Sequence, residues 1–581
     1  MQPGRGSQYS CWQLPDLAIS YLAAIAAALL LLATPADAAL RSKLIKPPPN
    51  NRHLLLAALP RVEAPITAPR RQNDLLAAVL GVTNNFTIVV DIVDKPGPSA
   101  TLFANPHYTC VTNYYVSTTG NDSTGNGSSG SPWATLQHAD SAAPTAGSCI
   151  NIAPGTYGGL TFSHGGNAAT STGYVVYRCT TMDACTIKGD QVNGDAFVFS
   201  TPSGGGSFSN PAYFMFDGFT LVGADGYYQV GVDVENRNTS TAFASHHIWV
   251  INSIIQHFGQ SGIQLNQGDY FYSIHNTVHD NSKATCGGSE GSGISYAAER
   301  PINSLFGYTA TTDDINGVPS KFGYSWNWGT SPSGAAYSHF HLVILWNLVY
   351  NNSTPDCTGN TDGNGIIMDT LTAACGNGTD YNYPTLIGHN VVANNGSGGI
   401  HNFGASYTWM VNNSDYNDYT DPNATNGSRP LVDNHCATTT FPDSFYNNIV
   451  VAIAASGTDA PNHSMNIGQS SGGAAAAVGN ITYPVPPTMP SSQGTAACNG
   501  IYDVVLYDST NYSCAANKAQ TNPLWVNVGN TSPGNYVTPP NGANFALQST
   551  SPAIGFGTVL SWMPAQSGDS GACHHSLSSC P

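Results

Sequence analysis

Charge is scarce in this chain: Asp, Glu, Lys and Arg together make up 9% of 581 residues, against about 25% in an ordinary globular domain. Cations are scarcest. Nine of the 17 Lys and Arg precede Tyr114, leaving Arg178, Lys188, Arg237, Lys283, Arg300, Lys321, Arg429 and Lys518 to face 28 carboxylates. A surface this poor in positive charge has little with which to neutralise phosphates, which excludes nucleic acid as a partner. An acidic polysaccharide is repelled as well unless a cation or a local basic cluster intervenes. Glutamate is nearly missing after Tyr114, where only Glu235, Glu290 and Glu299 occur. No Cys-x-x-Cys pair exists, so thiolate metal sites are disfavoured. What abounds is Gly, Asn, Ser and Thr with aromatics retained, the makeup of a turn-rich β surface and not of a disordered chain.

Within this background one short phrase recurs between His246 and Asp418. It reads His247-Ile-Trp-Val-Ile-Asn252, Phe271-Tyr-Ser-Ile-His-Asn276, Leu342-Val-Ile-Leu-Trp-Asn347, Leu386-Ile-Gly-His-Asn390 and Trp409-Met-Val-Asn-Asn413. A second strand opened by glycine comes after four of these: Gly262-Ile-Gln-Leu, Gly293-Ile-Ser-Tyr, Gly365-Ile-Ile-Met and Gly399-Ile-His-Asn. Asn252 to Asn276 is 24 residues and Asn390 to Asn413 is 23, a period that marks stacked repeats whose apolar faces need a neighbour to cover them. Strand alternation predicts Ile263, Ile294, Ile366 and Ile400 inside and Gln264, Ser295, Ile367 and His401 outside. The recurring asparagines are predicted to form an internal ladder, each amide bonding backbone and the next copy.

These Asn and Gly-Ile columns resemble the right-handed parallel β-helix of the pectate-lyase-like proteins. The stretch Tyr114-Tyr-Val-Ser-Thr-Thr-Gly120 with Ser131-Pro-Trp133 and Ile152-Ala-Pro-Gly155 is similar to that group's opening segment. Asn522-Pro-Leu-Trp525 with Ser551-Pro-Ala-Ile554-Gly is similar to its closing one. The resemblance implies an all-β fold, a right-handed parallel β-helix solenoid with disulfides and corner insertions; it specifies the fold well and the reaction poorly.

In chain order, Arg5, the apolar run Leu17 to Ala33 and Ala36-Asp-Ala38 read as a secretory signal over residues 1–38, the rival being an uncleaved anchor. Residues 39–113, with Pro47-Pro-Pro49 and Arg70-Arg71, read as a linker or propeptide. The β-helix is expected over 114–560 and a small tail over 561–581. Twelve cysteines remain after Cys11, an even number that suggests disulfides and an oxidising compartment. Cys179 with Cys185, Cys498 with Cys514, Cys573 with Cys580, and Cys286 with Cys357 are the expected pairs.

One corner breaks the tidy spacing. Asn276 to Gly293 spans 17 residues and Asn347 to Gly365 spans 18, where Asn390 to Gly399 takes nine. Further insertions run from Arg300 to Ser338 and from Thr372 to Tyr383. Insertions on one flank of a solenoid often build its binding site, so Lys283, Glu290, Arg300, Lys321, Asp356 and Asp362 are expected beside the outward residues Glu299, Asp369 and His401. The run Asn360-Thr-Asp362-Gly-Asn364 has the oxygen spacing of a calcium loop, with Asp356 as a further donor and Leu371 where the loop's glutamate would stand; the same residues also suit an ordinary turn. Glycoside hydrolysis needs a protonated acid and an ionised partner about 5 to 9.5 Å apart, and Glu299 is expected to stack over Asp369. Elimination needs a base and a cation, for which Lys283, Arg300 and Lys321 are the local supply. His401 suits a base or a sugar contact, and Tyr324, Trp326 and Trp328 suit ring stacking.

The sequence thus points to a secreted, periplasmic or cell-surface monomer that cleaves an extracellular polysaccharide, as lyase or glycoside hydrolase, at a corner cleft. Glu299, Asp369, His401, Lys283 and Arg300 are the catalytic candidates; Asp356, Asn360, Asp362 and Asn364 are the candidate calcium ligands. The alternative is a non-catalytic polysaccharide-binding or adhesin-like solenoid, since fold does not fix function.

Overall fold

The computed structural model describes residues 108–573, apart from 190–193, 199–211, 236–244, 284–290, 303–339, 355–361, 374–379, 422–429, 436–442, 453–462, 470–475, 484–503, 507–516, 519–520, 528–543 and 560–567. Three parallel sheets of eleven, ten and ten strands run the length of the described chain, and each strand pairs with the equivalent strand of the coils before and after it. The fold is the expected right-handed parallel β-helix. Its first sheet runs from Thr112–Val116 to Ala476–Val478, its second, of mostly three-residue strands, from Gly155–Gly158 to Ile481–Tyr483, and its third, which contains the Gly-Ile strands, from Leu160–Thr161 to Val504–Leu506. The short helix Leu136–Ser141 lies near the start, capped by the Thr135 side chain, which accepts from the His138 N–H. Among the described residues no helix is long and apolar enough to cross a membrane; the apolar run from Leu17 to Ala33 lies outside them.

The coil is turned at its corners by residues in the left-handed region. Between first and second sheets these are Asn252, His275, Trp346, His389, Asn412 and Asn447; after the second sheet, His257, Asp280, Asn351, Asn394 and Asn417; after the third, Gln267, Ala298, Thr370 and Gly404. Few of them are glycine. Left-handed backbone on an ordinary residue costs roughly 1–3 kcal/mol, so the strain must be offset by hydrogen bonds made next to each turn.

Those hydrogen bonds form a ladder. Asn276, Asn347, Asn390, Asn413, Asn448, Asn480 and Asn517 stand one per coil. Each of the first six donates its backbone N–H, at 2.8–3.0 Å, to the side-chain oxygen of the next. Their amide NH2 groups donate back to the preceding coil, as Asn390 does to the Ile344 carbonyl at 2.9 Å. The predicted ladder is therefore present, with one correction. Asn252 is not a rung: it is the left-handed residue, in register with His275, and its amide donates to Asp217 at 3.0 Å. Ser253 holds the rung position, its N–H donating to Asn276 and its hydroxyl accepting from the Phe219 N–H.

A second ladder, unforeseen from the sequence, lies just past the second sheet: Asn281, Asn352, Asn395 and Asp418. It explains the glycines. A Cβ on Gly293 would lie 2.7 Å from both Val349 Cγ1 and the Asn352 amide, and on Gly365 2.5 Å from Val392 Cγ1 and 2.7 Å from the Asn395 amide. Only glycine allows the third sheet to start that close to the ladder.

Ile263, Ile294, Ile366 and Ile400 are buried in the interior, as expected. The Cys179–Cys185 disulfide is present; Cys110–Cys149, which the sequence spacing did not suggest, ties the first described residues to the first sheet. Cys573 is disulfide-bonded, while Cys286, Cys357, Cys498, Cys514 and Cys580 lie outside the described residues. The segment around Ala553 and Asp569–Cys573 packs onto the corner between first and second sheets, where the Asn412 amide donates to the Asp569 and Gly571 carbonyls.

Candidate active site

The outer face of the third sheet presents two columns of side chains. One runs Asp233, Gln264, Ser295, Ile367 and His401; the other Asn266, Ala297, Asp369 and Phe403. Gln264 donates to Asp233 at 3.4 Å across one coil. Asp369 is flanked in register by Ala297 and Phe403 and stands diagonally from His401. Its carboxyl is raised above the ordinary aspartate value by burial, which the neighbouring His401 partly opposes. The Asp369 Oδ1 is shielded from water and accepts no hydrogen bond from the described residues. His401 is buried and stacks on Phe403 with ring centroids 5.6 Å apart. Phe403 itself is 38% exposed, one of six large hydrophobic side chains exposed among the described residues.

The structure brings Asp369 and His401 together but separates Glu299 from them. Ala297, not Glu299, pairs with Asp369. Glu299 lies beyond the left-handed residue Ala298, which turns the chain off the sheet face. It is fully buried and accepts from the Gly268 N–H at 2.7 Å. Burial pushes its carboxyl well above the usual range, Asp269 adding to the rise. Glu299 holds the turn through that bond. The expected stacking of Glu299 over Asp369 is thus corrected. Arg300 stands beside it, its N–H donating to the Gly268 carbonyl.

Lys283 lies past the opposite corner, where its ammonium meets Asp280 at 3.2 Å; Asp280 also holds His279 at 2.7 Å. The opposing charges of His279 and Lys283, with their hydrogen bonds, hold the Asp280 carboxyl below its usual value against the effect of burial. Of the calcium candidates, Asp356 and Asn360 lie outside the described residues. Asn364 is buried, its side-chain oxygen accepting from the Gly398 N–H at 3.0 Å and its amide donating to Ser292 at 3.3 Å. Its polar atoms bond within the stack of coils, and Asp362 is the other described member of that set. Among the described residues no group of three or more His, Cys, Asp or Glu is placed to hold a metal. Glu290, Lys321, Tyr324, Trp326 and Trp328 also lie outside them.

Sequence reasoning missed Phe403 and Asp269. Asp269 is fully buried and accepts from Tyr381 at 2.6 Å, contacts His341 Nδ1 at 2.9 Å and accepts from the Ile302 N–H at 3.0 Å, fixing the corner next to Glu299. Only the position of Phe403, four residues after Gly399, marked it as outward in the sequence.

No protein-family model matches the sequence, and no curated protein does. Among solved structures the chain is similar to pectate lyase Pel9A at 15% identity, covering 80% of this chain and 97% of that one with a TM-score of 0.41. A rhamnogalacturonan lyase is 10% identical, with 72% and 91% covered and a TM-score of 0.35. The A-module of the Azotobacter vinelandii mannuronan C-5 epimerase AlgE6 is 12% identical, with 66% and 94% covered and a TM-score of 0.31.

Proposed function

We propose that the chain is a carbohydrate-active enzyme that cleaves an extracellular polysaccharide on the outer face of the third sheet, with Asp369 and His401 as its proton-transfer pair. The observation that carries this reading is the pairing itself. One strand spacing and two residues separate the two positions, a diagonal of about 8 Å between backbones, and both are outward positions of the same sheet. Burial raises the Asp369 carboxyl above its ordinary value, the direction in which a general acid is tuned, and the exposed Phe403 ring beside it offers a stacking surface for a sugar. A working compartment outside the cytoplasm is supported by the Cys110–Cys149 and Cys179–Cys185 disulfides. Lys283 and Arg300 flank the face from opposite corners, as aids to binding and not as acid or base.

The test is an assay of the full chain on a panel of polysaccharides, measuring new reducing ends and ultraviolet-absorbing unsaturated ends. Asp369→Asn is expected to lower turnover by about a hundredfold or more. An Asp369→Asn protein of unchanged activity would remove the pair from the chemistry. Binding without cleavage by the natural chain would leave a non-catalytic polysaccharide-binding solenoid.

A further inference from the structure

The interior of the solenoid changes chemistry over adjacent coils. One inward column of the first sheet runs Phe214, Ile248, Phe271 and Leu342, then continues as Thr385 and Thr408. Asp443 comes next, since Ser444, which follows it, pairs with Trp409. The inward column of the third sheet that meets it runs Val234, Leu265, Tyr296 and Met368 before reaching Asn402. Thr385, Asn402, Thr408 and Asp443 are fully buried, as is Ser406 in the turn between the strands Ile400–Phe403 and Thr408–Val411.

Asp443 draws this group together. Its Oδ1 accepts from the Thr408 N–H at 2.8 Å and its Oδ2 from the Asn402 amide at 2.9 Å. The side-chain atoms left over are oxygens: Thr385 Oγ1, Asn402 Oδ1, Ser406 Oγ and Thr408 Oγ1 are shut off from water and have no hydrogen-bond partner. Each gave up its hydration when the chain folded, and four such atoms around one carboxylate call for a ligand. Carboxylate, amide and hydroxyl oxygens, with no nitrogen or sulfur left to bind, are the donor set of a hard cation.

We infer that the interior at this point holds a hard cation (sodium, potassium or calcium) bound by Asp443, Asn402, Thr385, Thr408 and Ser406. The ion ties a third-sheet strand to the first-sheet strand that follows it. Asn402 stands between His401 and Phe403, so the same ion fixes from within the strand that presents both to the outer face. The inference does not depend on the reaction proposed above.

The test is thermal unfolding of the full chain, followed by circular dichroism, in sodium, potassium or calcium chloride against choline chloride, whose cation is too large for the interior, at equal ionic strength. Thr408→Val and Thr385→Val each remove one oxygen at nearly constant volume. The expected result is a midpoint at least about 3 °C higher in one of the small cations than in choline, because an ion bound only by the folded chain stabilises it by mass action. Each variant should lose at least about half of that rise. In choline the variants should melt no lower than the natural chain, because they no longer bury an unpartnered hydroxyl. A rise that both variants keep in full would place the ion elsewhere and overturn the inference. Variants that melt lower by the same amount in every salt would replace the ion with a bound water. Midpoints independent of the salt, with the variants higher, would show that these oxygens bind nothing.

Discussion

Two buried carboxylates interrupt otherwise regular columns, and repairing them should stabilise the protein. Val278, Val349, Val392, Asp415 and Val450 occupy one inward column of the second sheet, and Asn281, Asn352, Asn395 and Asp418 form one ladder. Asp415 and Asp418 are both fully buried, against the backbone of Gly399. Burial and the nearby Asp418 push the Asp415 carboxyl well above its ordinary value. Burial raises Asp418 from 3.8 to about 6, opposed by the hydrogen bond with Asp415 and by those it accepts from the Asn395 N–H at 2.6 Å and amide at 2.8 Å. Both groups bind a proton more tightly folded than unfolded. Their favourable contribution is therefore complete below about pH 4 and lost as pH rises through about 6 for Asp418, and further up for Asp415. Asp415→Val with Asp418→Asn replaces them with the residues that the neighbouring coils carry. A valine already fits beneath Gly293 and Gly365, and the new amide can donate to the Val392 carbonyl as Asn395 does to Val349. Replacing buried ionisable groups with well-packed neutral ones typically gains about 1–4 kcal/mol. Thermal unfolding monitored by circular dichroism should show the double variant melting above the natural protein, with the gap wider at about pH 8 than at about pH 4.5. A double variant that melts lower at the higher pH, or a gap independent of pH, would refute the reasoning.

Asn390→Ala should cost about 2–4 kcal/mol in urea titration, because it leaves the buried Asn347 N–H and Ile344 carbonyl without their partners; Ser253→Asn, which extends the same ladder by one rung, should cost less than about 1 kcal/mol. Gly365→Ala should lower the unfolding free energy by about 1–3 kcal/mol, since its Cβ meets Val392 at 2.5 Å. Removing the disulfide with Cys110→Ser and Cys149→Ser opens a link spanning 39 residues, worth about 3–4 kcal/mol, read as a lowered denaturation midpoint relative to the oxidised protein. Activity should fall as pH rises through the Asp369 pKa, which burial places above 3.8, and His401→Asn should alter the opposite limb of the pH–rate profile.

The stacking was legible because its cause is local: alternation in Gly262-Ile-Gln-Leu and its copies puts one apolar residue per coil inside, and the period gives the stack. The Asn252 slip was legible too, since 24 residues separate it from Asn276 where one tight coil takes 23, and the extra residue is the corner. Glu299 was misplaced for a similar reason. It stands six residues after Gly293, while Asp369 stands four after Gly365, and the difference carries it past the left-handed turn. The rung at Asp418 was hidden because an aspartate there accepts the same bonds as an asparagine without sharing its letter. Nor does alternation say what covers an outward position: His401 and Ile367 point away from the interior and are nevertheless buried.

The proposed chemistry depends on the outer face of the third sheet being where sugar is held. Its most direct test is a crystal structure of the Asp369→Asn chain with an oligosaccharide from a polymer the natural chain cleaves. A sugar ring over Phe403, with its glycosidic oxygen beside residue 369 and His401 on the other side of the bond, is the predicted result. An oligosaccharide ordered on the first or second sheet, with the Phe403 face empty, would contradict it.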